Sequence, residues 1–136
     1  MNTRLYRVRW LAALVGAVFL HGCAQSPAAK PVEPVGLIDI SERPAEKALL
    51  AGLRSYDDAQ YAEAEKNFSE ALKVGLVSSK DRAAAHKHLA FIYCTSRREA
   101  LCEAAFKAAR TALPSFTLSK SEAGHPLWGP VYKRLN

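Results

Sequence analysis

None of the signatures that announce an enzyme stands in this chain of 136 residues. It has no G-x-S-x-G elbow, no H-E-x-x-H pair and no glycine-rich phosphate loop. Its acids at Asp57, Asp58, Glu63, Glu65 and Glu70 are spaced like a solvated helix face, not like a catalytic pair. Neither catalysis nor a cofactor is expected. No metal is expected either: His86 and His88 stand two apart, and that spacing on a helix sends them to nearly opposite faces. One should face the interior groove and the other solvent. A strong charge of one sign is also missing. The chain carries 19 Lys and Arg against 13 Asp and Glu, a net of +6. Half of that excess lies in Arg4, Arg7 and Arg9, within a leader expected to be removed. Such a balance does not argue for nucleic acid as a partner.

The apolar run Trp10–Leu20 is only eleven residues long. Spanning a bilayer takes about 20, so the run suits the apolar core of a signal peptide. It follows the basic, acid-free stretch Met1–Arg9 and leads into Leu20-His21-Gly22-Cys23. That tetrapeptide resembles a bacterial lipobox, with Leu three before Cys, a small residue just before it, and Cys23 as the lipidated residue. His21 departs from the pattern, which prefers a small or modestly apolar residue there. Cleavage around Gly22-Cys23-Ala24 by an ordinary signal peptidase is the competing reading. The three cysteines, Cys23, Cys94 and Cys102, favour lipidation, because an even pair then remains in an oxidising compartment. The resemblance to lipoproteins of Gram-negative bacteria implies outer-membrane sorting, since Ala24 and not Asp follows the cysteine. Residues 1–22 are therefore expected to be a lipoprotein signal peptide. Residues 23–43 are expected to be a tether, punctuated by Pro27, Pro31 and Pro34 and ending at Pro44. Within it, Gly36-Leu37-Ile38-Asp39-Ile40 reads either as a docking segment or as a simple kink.

The remainder, 44–136, reads as a helical domain organised around Arg82–Pro114. Leu89, Ala90 and Tyr93 mark one face of a helix. Cys102, Phe106 and Ala109 mark a face of the next, the polar break Thr95-Ser96-Arg97 separates them, and Pro114 ends the pair. These offsets resemble the tetratricopeptide (TPR) repeat, a helix–turn–helix unit with a period of about 34 residues. A first unit spans roughly Pro44–Val74. Pro44 suits a first helical turn, Asp57–Gln60 a turn, and Gly75 the residue after a helix end. Aligning Ala64 with Cys102 and Phe68 with Phe106 makes the period 38 residues. Capping boxes are expected at Ser78–Asp81, Ser96–Glu99 and Ser119–Glu122. A short helix after Ser119 should break at Gly124-His125-Pro126. Leu127, Trp128, Val131, Tyr132 and Leu135 suggest a last helix capping the open end of the second repeat. The fold expected is all-α, with about two TPR-like repeats and a C-terminal capping helix.

Cys94 and Cys102 flank the inter-helix turn, where antiparallel helices can bring Cα atoms within the roughly 4.4–6.8 Å that a disulfide needs. A structural disulfide is the leading reading, ahead of two buried thiols and of a redox or metal site. Trp128, in the stretch Gly124–Pro130, is either a partner-docking knob or a seal on the core. The combination of lipobox, A-A-H-K-H-L-A-F-I-Y-C, a second cysteine shortly after, and E-A-G-H-P-L-W-G-P-V-Y is similar to small lipoproteins associated with the bacterial type VI secretion system. That resemblance implies an accessory envelope protein anchored at the periplasmic face of the outer membrane. Its partner would be a protein of the envelope or secretion complex, with a small core also favouring self-association. A pilotin-like lipoprotein that binds a secretin or barrel protein is the alternative. The partner groove is expected to use Arg54, Lys87 and Phe91, with Trp128.

Overall fold

The computed structural model describes residues 42–135, together with Gly36 and Asp39. The signal segment, Cys23 and most of the tether, including Leu37 and Ile38, lie outside the described residues. Within residues 42–135 six helices follow in order: α1 (Pro44–Asp57), α2 (Tyr61–Val74), α3 (Ser79–Thr95), α4 (Glu99–Ala112), α5 (Lys120–Ala123) and α6 (Gly129–Arg134). Among the described residues there is no strand, and no helix is long and apolar enough to cross a membrane. Helix α1 packs on α2 and α3 on α4, forming two helix pairs joined through α2 and α3. Helix α6 rests on α4 and α5.

The helix ends follow local chemistry at most positions. Pro44 opens α1, where a missing amide proton leaves no intrahelical bond unmade. Gly75 ends α2 in the left-handed region, with φ 106°. The Ser78 hydroxyl accepts from the Asp81 amide at 3.2 Å and starts α3. At α5 the capping box is complete: the Glu122 amide donates to the Ser119 hydroxyl, and the Ser119 amide donates to Glu122 Oε2. The box expected at Ser96–Glu99 does not form. Ser96 instead donates its hydroxyl back to the Ile92 carbonyl at 2.7 Å, so it closes α3 and does not open α4. Helix α4 starts behind Arg98, without a side-chain cap.

Both inter-helix turns are built the same way. In the first, Ala59 N–H donates to Tyr56 and Gln60 N–H to Ser55. In the second, Arg97 N–H donates to Cys94 and Arg98 N–H to Tyr93. Each second-turn residue stands 38 positions after its first-turn counterpart, as Gln60 and Arg98 show. This pair of bonds satisfies the last helical carbonyls and needs one left-handed residue. Ala59 (φ 58°) and Arg97 (φ 62°) supply it.

The same register governs the core. Ala64 and Cys102, Phe68 and Phe106, and Ala71 and Ala109 are three matched pairs, and all six side chains are fully buried. Gly52 explains how closely the first pair approaches. A Cβ there would sit 2.7 Å from Phe68 Cδ1, inside contact distance. Phe68 has no exposure and so little room to retreat. Two substitutions follow with opposite signs. Gly52→Ala should lower the urea-unfolding free energy by about 1–2 kcal/mol, the overpacking cost exceeding the gain in helix propensity of up to about 1 kcal/mol. Ala59→Gly should raise it by about 0.5–1 kcal/mol by relieving the left-handed alanine. A more stable Gly52→Ala would show that Phe68 is not held where the packing places it.

Candidate functional site

Three of the four residues singled out for partner binding come together. Lys87 and Phe91 stand one turn apart on α3, and Lys87 Nζ lies 5.6 Å from the centre of the Phe91 ring. Trp128 arrives from the stretch between α5 and α6 and stacks on Phe91, with ring centres 4.2 Å apart and planes at 22°. His125 stacks on Trp128 in turn, at 3.3 Å and 2°. Phe91 is thereby buried and not open, while Trp128 is half-buried. Arg54 is exposed in the last turn of α1 and is not part of this cluster.

Glu122 joins the two sides. Its Oε1 accepts from Lys87 Nζ at 2.6 Å, while Oε2 accepts the Ser119 amide at 2.9 Å. The Trp128 indole N–H donates to the Glu122 carbonyl oxygen at 2.8 Å, which ties the ring to the same residue. Burial opposes ionisation of the Glu122 carboxyl, but the donors from Lys87 and Ser119 outweigh it. The net effect holds the pKa below the ordinary value. Glu122 was legible only as a capping residue, and its second oxygen reaches a lysine 35 positions away.

His88 lies beneath this cluster. Its ring stacks on Phe68 at 5.1 Å and 19° and meets the edges of Tyr56 and Phe91. Nδ1–H donates to the Ala84 carbonyl at 2.8 Å, leaving Nε2 unprotonated in the neutral ring. Burial pushes the His88 pKa down, against the smaller upward pull of that carbonyl. His86 diverges from it as the spacing requires and lines a 250 Å³ groove with Leu89, Tyr93, Leu101 and Ala105. Contrary to expectation it does not stand free in solvent. It is half-buried, and that burial lowers its pKa too. Among the described residues no group of His, Cys, Asp and Glu is arranged to hold a metal ion.

Just past the C-terminal end of α3, Arg98 grips Glu65 with both guanidinium nitrogens, at 2.8 and 2.6 Å, linking the second turn to α2. Its guanidinium also lies over the Tyr93 ring at 4.6 Å. A shallow 390 Å³ cavity opens beside this pair, lined by Tyr61, Glu65, Ile92, Ser96 and Arg98. Cys94 and Cys102 meet across the same turn, with sulfurs 2.06 Å apart and Cα atoms 5.2 Å apart. Comparison with protein-family models, with curated proteins and with solved structures returns no match for this chain.

Two measurements test this geometry. The unfolded chain binds protons on His88 and His86 near the ordinary pKa of 6.5, whereas the folded chain resists them. Their contribution to stability is present above that pKa and is lost as pH falls through the depressed folded values. Urea midpoints should therefore fall between about pH 7.5 and about pH 5.5, and His88→Gln should flatten part of that fall. Glu122 adds a second loss below its ordinary pKa of 4.5, because its carboxylate is favoured by folding. A wild-type midpoint that is flat from neutral pH into the acid range would contradict the two half-buried neutral histidines. Separately, reduction, or the pair Cys94→Ala and Cys102→Ala, should cost about 2–3 kcal/mol through loss of the closed loop. Equal stability of oxidised, reduced and double-alanine protein would remove the crosslink from the account.

Proposed function

We propose that this chain is a protein–protein interaction module of the bacterial envelope. In this reading two TPR-like repeats, closed by a C-terminal helix, hang from lipid on Cys23 at the periplasmic face of the outer membrane. The domain serves there as an accessory scaffold, with a type VI secretion complex as its setting. The observation that carries the repeat reading is the shared register of the two helix pairs. Turn hydrogen bonds and fully buried positions both recur at 38 residues.

A scaffold role is supported by what the second pair presents. The α3 side chains Lys87 and Phe91 set a cation beside an aromatic ring, which is chemistry suited to a partner segment, and in this structure the chain's own C-terminal segment occupies both. Arg54 on α1 extends the same reading to the first helix of the first pair. The anchor rests on Leu20-His21-Gly22-Cys23 and on the even pair that remains once Cys23 is lipidated. The secretion setting rests on the resemblance of Ala84–Cys94 and Glu122–Tyr132 to the small lipoproteins named above. Catalysis has no part in this reading.

Crosslinking in intact membranes, followed by affinity capture of the lipidated chain, tests it, with Cys23→Ala as the control. Recovery of secretion-complex subunits, lost with the control, is the expected result. Recovery of a secretin or a barrel protein instead would move the assignment to a pilotin-like lipoprotein. Unchanged fractionation and partners for Cys23→Ala would remove both the anchor and the outer-membrane placement.

A further inference from the structure

The C-terminal segment divides into a pinned part and a part that rests on α6 and lies against α3. At one end, the Leu118 amide donates to the Tyr132 hydroxyl at 3.2 Å, and both residues are buried. At the other, Val131 and Tyr132 are buried, and the Tyr132 ring meets Phe106 at 5.3 Å. Arg110 adds a contact over the Tyr132 ring and donates to the Leu135 carbonyl. Leu118 and Val131–Tyr132 thus belong to the core.

The ten residues from Ser119 through Trp128 are held differently. Their one helix is a single turn of four residues. Among them only Glu122, Ala123, His125 and Trp128 are even half-buried, and Leu127 is 54% exposed. The segment keeps its own shape through the Ser119–Glu122 box and the bond from the Trp128 indole to the Glu122 carbonyl. It places a carboxylate on Lys87 and an indole on Phe91, while Ala123 packs against the core cluster. The ion pair is well shielded, its side chains being 23% and 27% exposed. A self-shaped loop that meets a surface through one charge and one stacked ring binds as a ligand binds.

We propose that Ser119–Trp128 is a lid over a peptide-binding face on α3, and that it gives way to a partner peptide bringing a carboxylate to Lys87 and a flat aromatic side chain to Phe91. This rests on reading the domain as an interaction module. The lid and the incoming peptide compete for the same two contacts, so each excludes the other. Because the lid is covalently attached, its effective concentration is in the millimolar range, and a partner must bind better than the lid or find it loosened.

The probe is a synthetic peptide copying Ser119–Trp128, added to the full-length chain. Its affinity is read by polarisation of a labelled copy, and amide exchange reports the lid. The wild-type chain should bind it weakly. Trp128→Ala and, independently, Glu122→Gln should bind it at least about tenfold more tightly, because each loosens the built-in competitor. Adding Lys87→Glu to either should abolish binding, and a peptide with Gln and Ala in place of its Glu and Trp should not bind. In the wild type, saturating peptide should speed exchange in 119–128 and leave 90–94 protected. Glu122→Gln removes no ring and guards against a Trp128→Ala chain that fails to fold. No binding to either variant, with helical content and melting retained, would overturn the proposal, as would equal affinity for wild type and variants. Membrane capture of partners does not depend on this result, so the lid can fail while the scaffold reading stands.

Discussion

The missing side chain at Gly52 sets the position of nearly everything else. Without a Cβ there, α1 closes onto Phe68, and the Phe68 ring is fixed with no exposure to solvent. His88 stacks on that ring, Phe91 meets the edge of His88, Trp128 stacks on Phe91, and His125 stacks on Trp128. One run of rings thus crosses from the first helix pair through α3 to the C-terminal segment. A shift of Phe68 would pass along it, because packed rings have few alternative arrangements.

Magnitudes separate what holds this domain together from what orients it. Burying a large apolar side chain contributes about 1.5–3 kcal/mol, and Phe68 and Phe106 are the largest fully buried side chains. Ion pairs near the surface, such as Arg98–Glu65 and Lys87–Glu122, contribute about 0–1 kcal/mol each after screening. Their value lies in geometry: one locks the second turn to α2, and the other sets where the C-terminal segment lands. Among the described residues, eight of the other eighteen buried hydrophobic residues are alanine, which buries little surface per residue. A short loop closed between Cys94 and Cys102 matters more in such a domain than it would over a larger core.

Helix ends were legible wherever one residue's own chemistry decides them. Pro44, Gly75, Ser78 and Ser119 behave as their types require. Ser96 did not, because two neighbouring demands competed for it. The second turn needs a left-handed residue at Arg97 to reverse the chain, and that geometry leaves the Ser96 hydroxyl facing back to Ile92. Lys87, Phe91 and Trp128 each stand out by type and position, yet nothing in their spacing indicates that Trp128 covers Phe91. Glu122 reads as a cap, which conceals its other oxygen, and the spacing of His88 from His86 carries no sign of the Phe68 ring that His88 meets.

Periodicity and capping are properties of a few adjacent residues, so the sequence by itself determined the helices, their pairing and the 38-residue register that Ala64 and Cys102 share. Which faces remain open was decided only by the tertiary structure. An ion pair at 2.6 Å and a stack at 4.2 Å depend on how far the 113–118 connector carries the chain back and on the angle at which α6 meets α4. Those are sums of many small rotations over some 35 residues, and no local pattern encodes the sum. The face of α3 is therefore written in the sequence as a set of side chains, and its cover is written only in the packing.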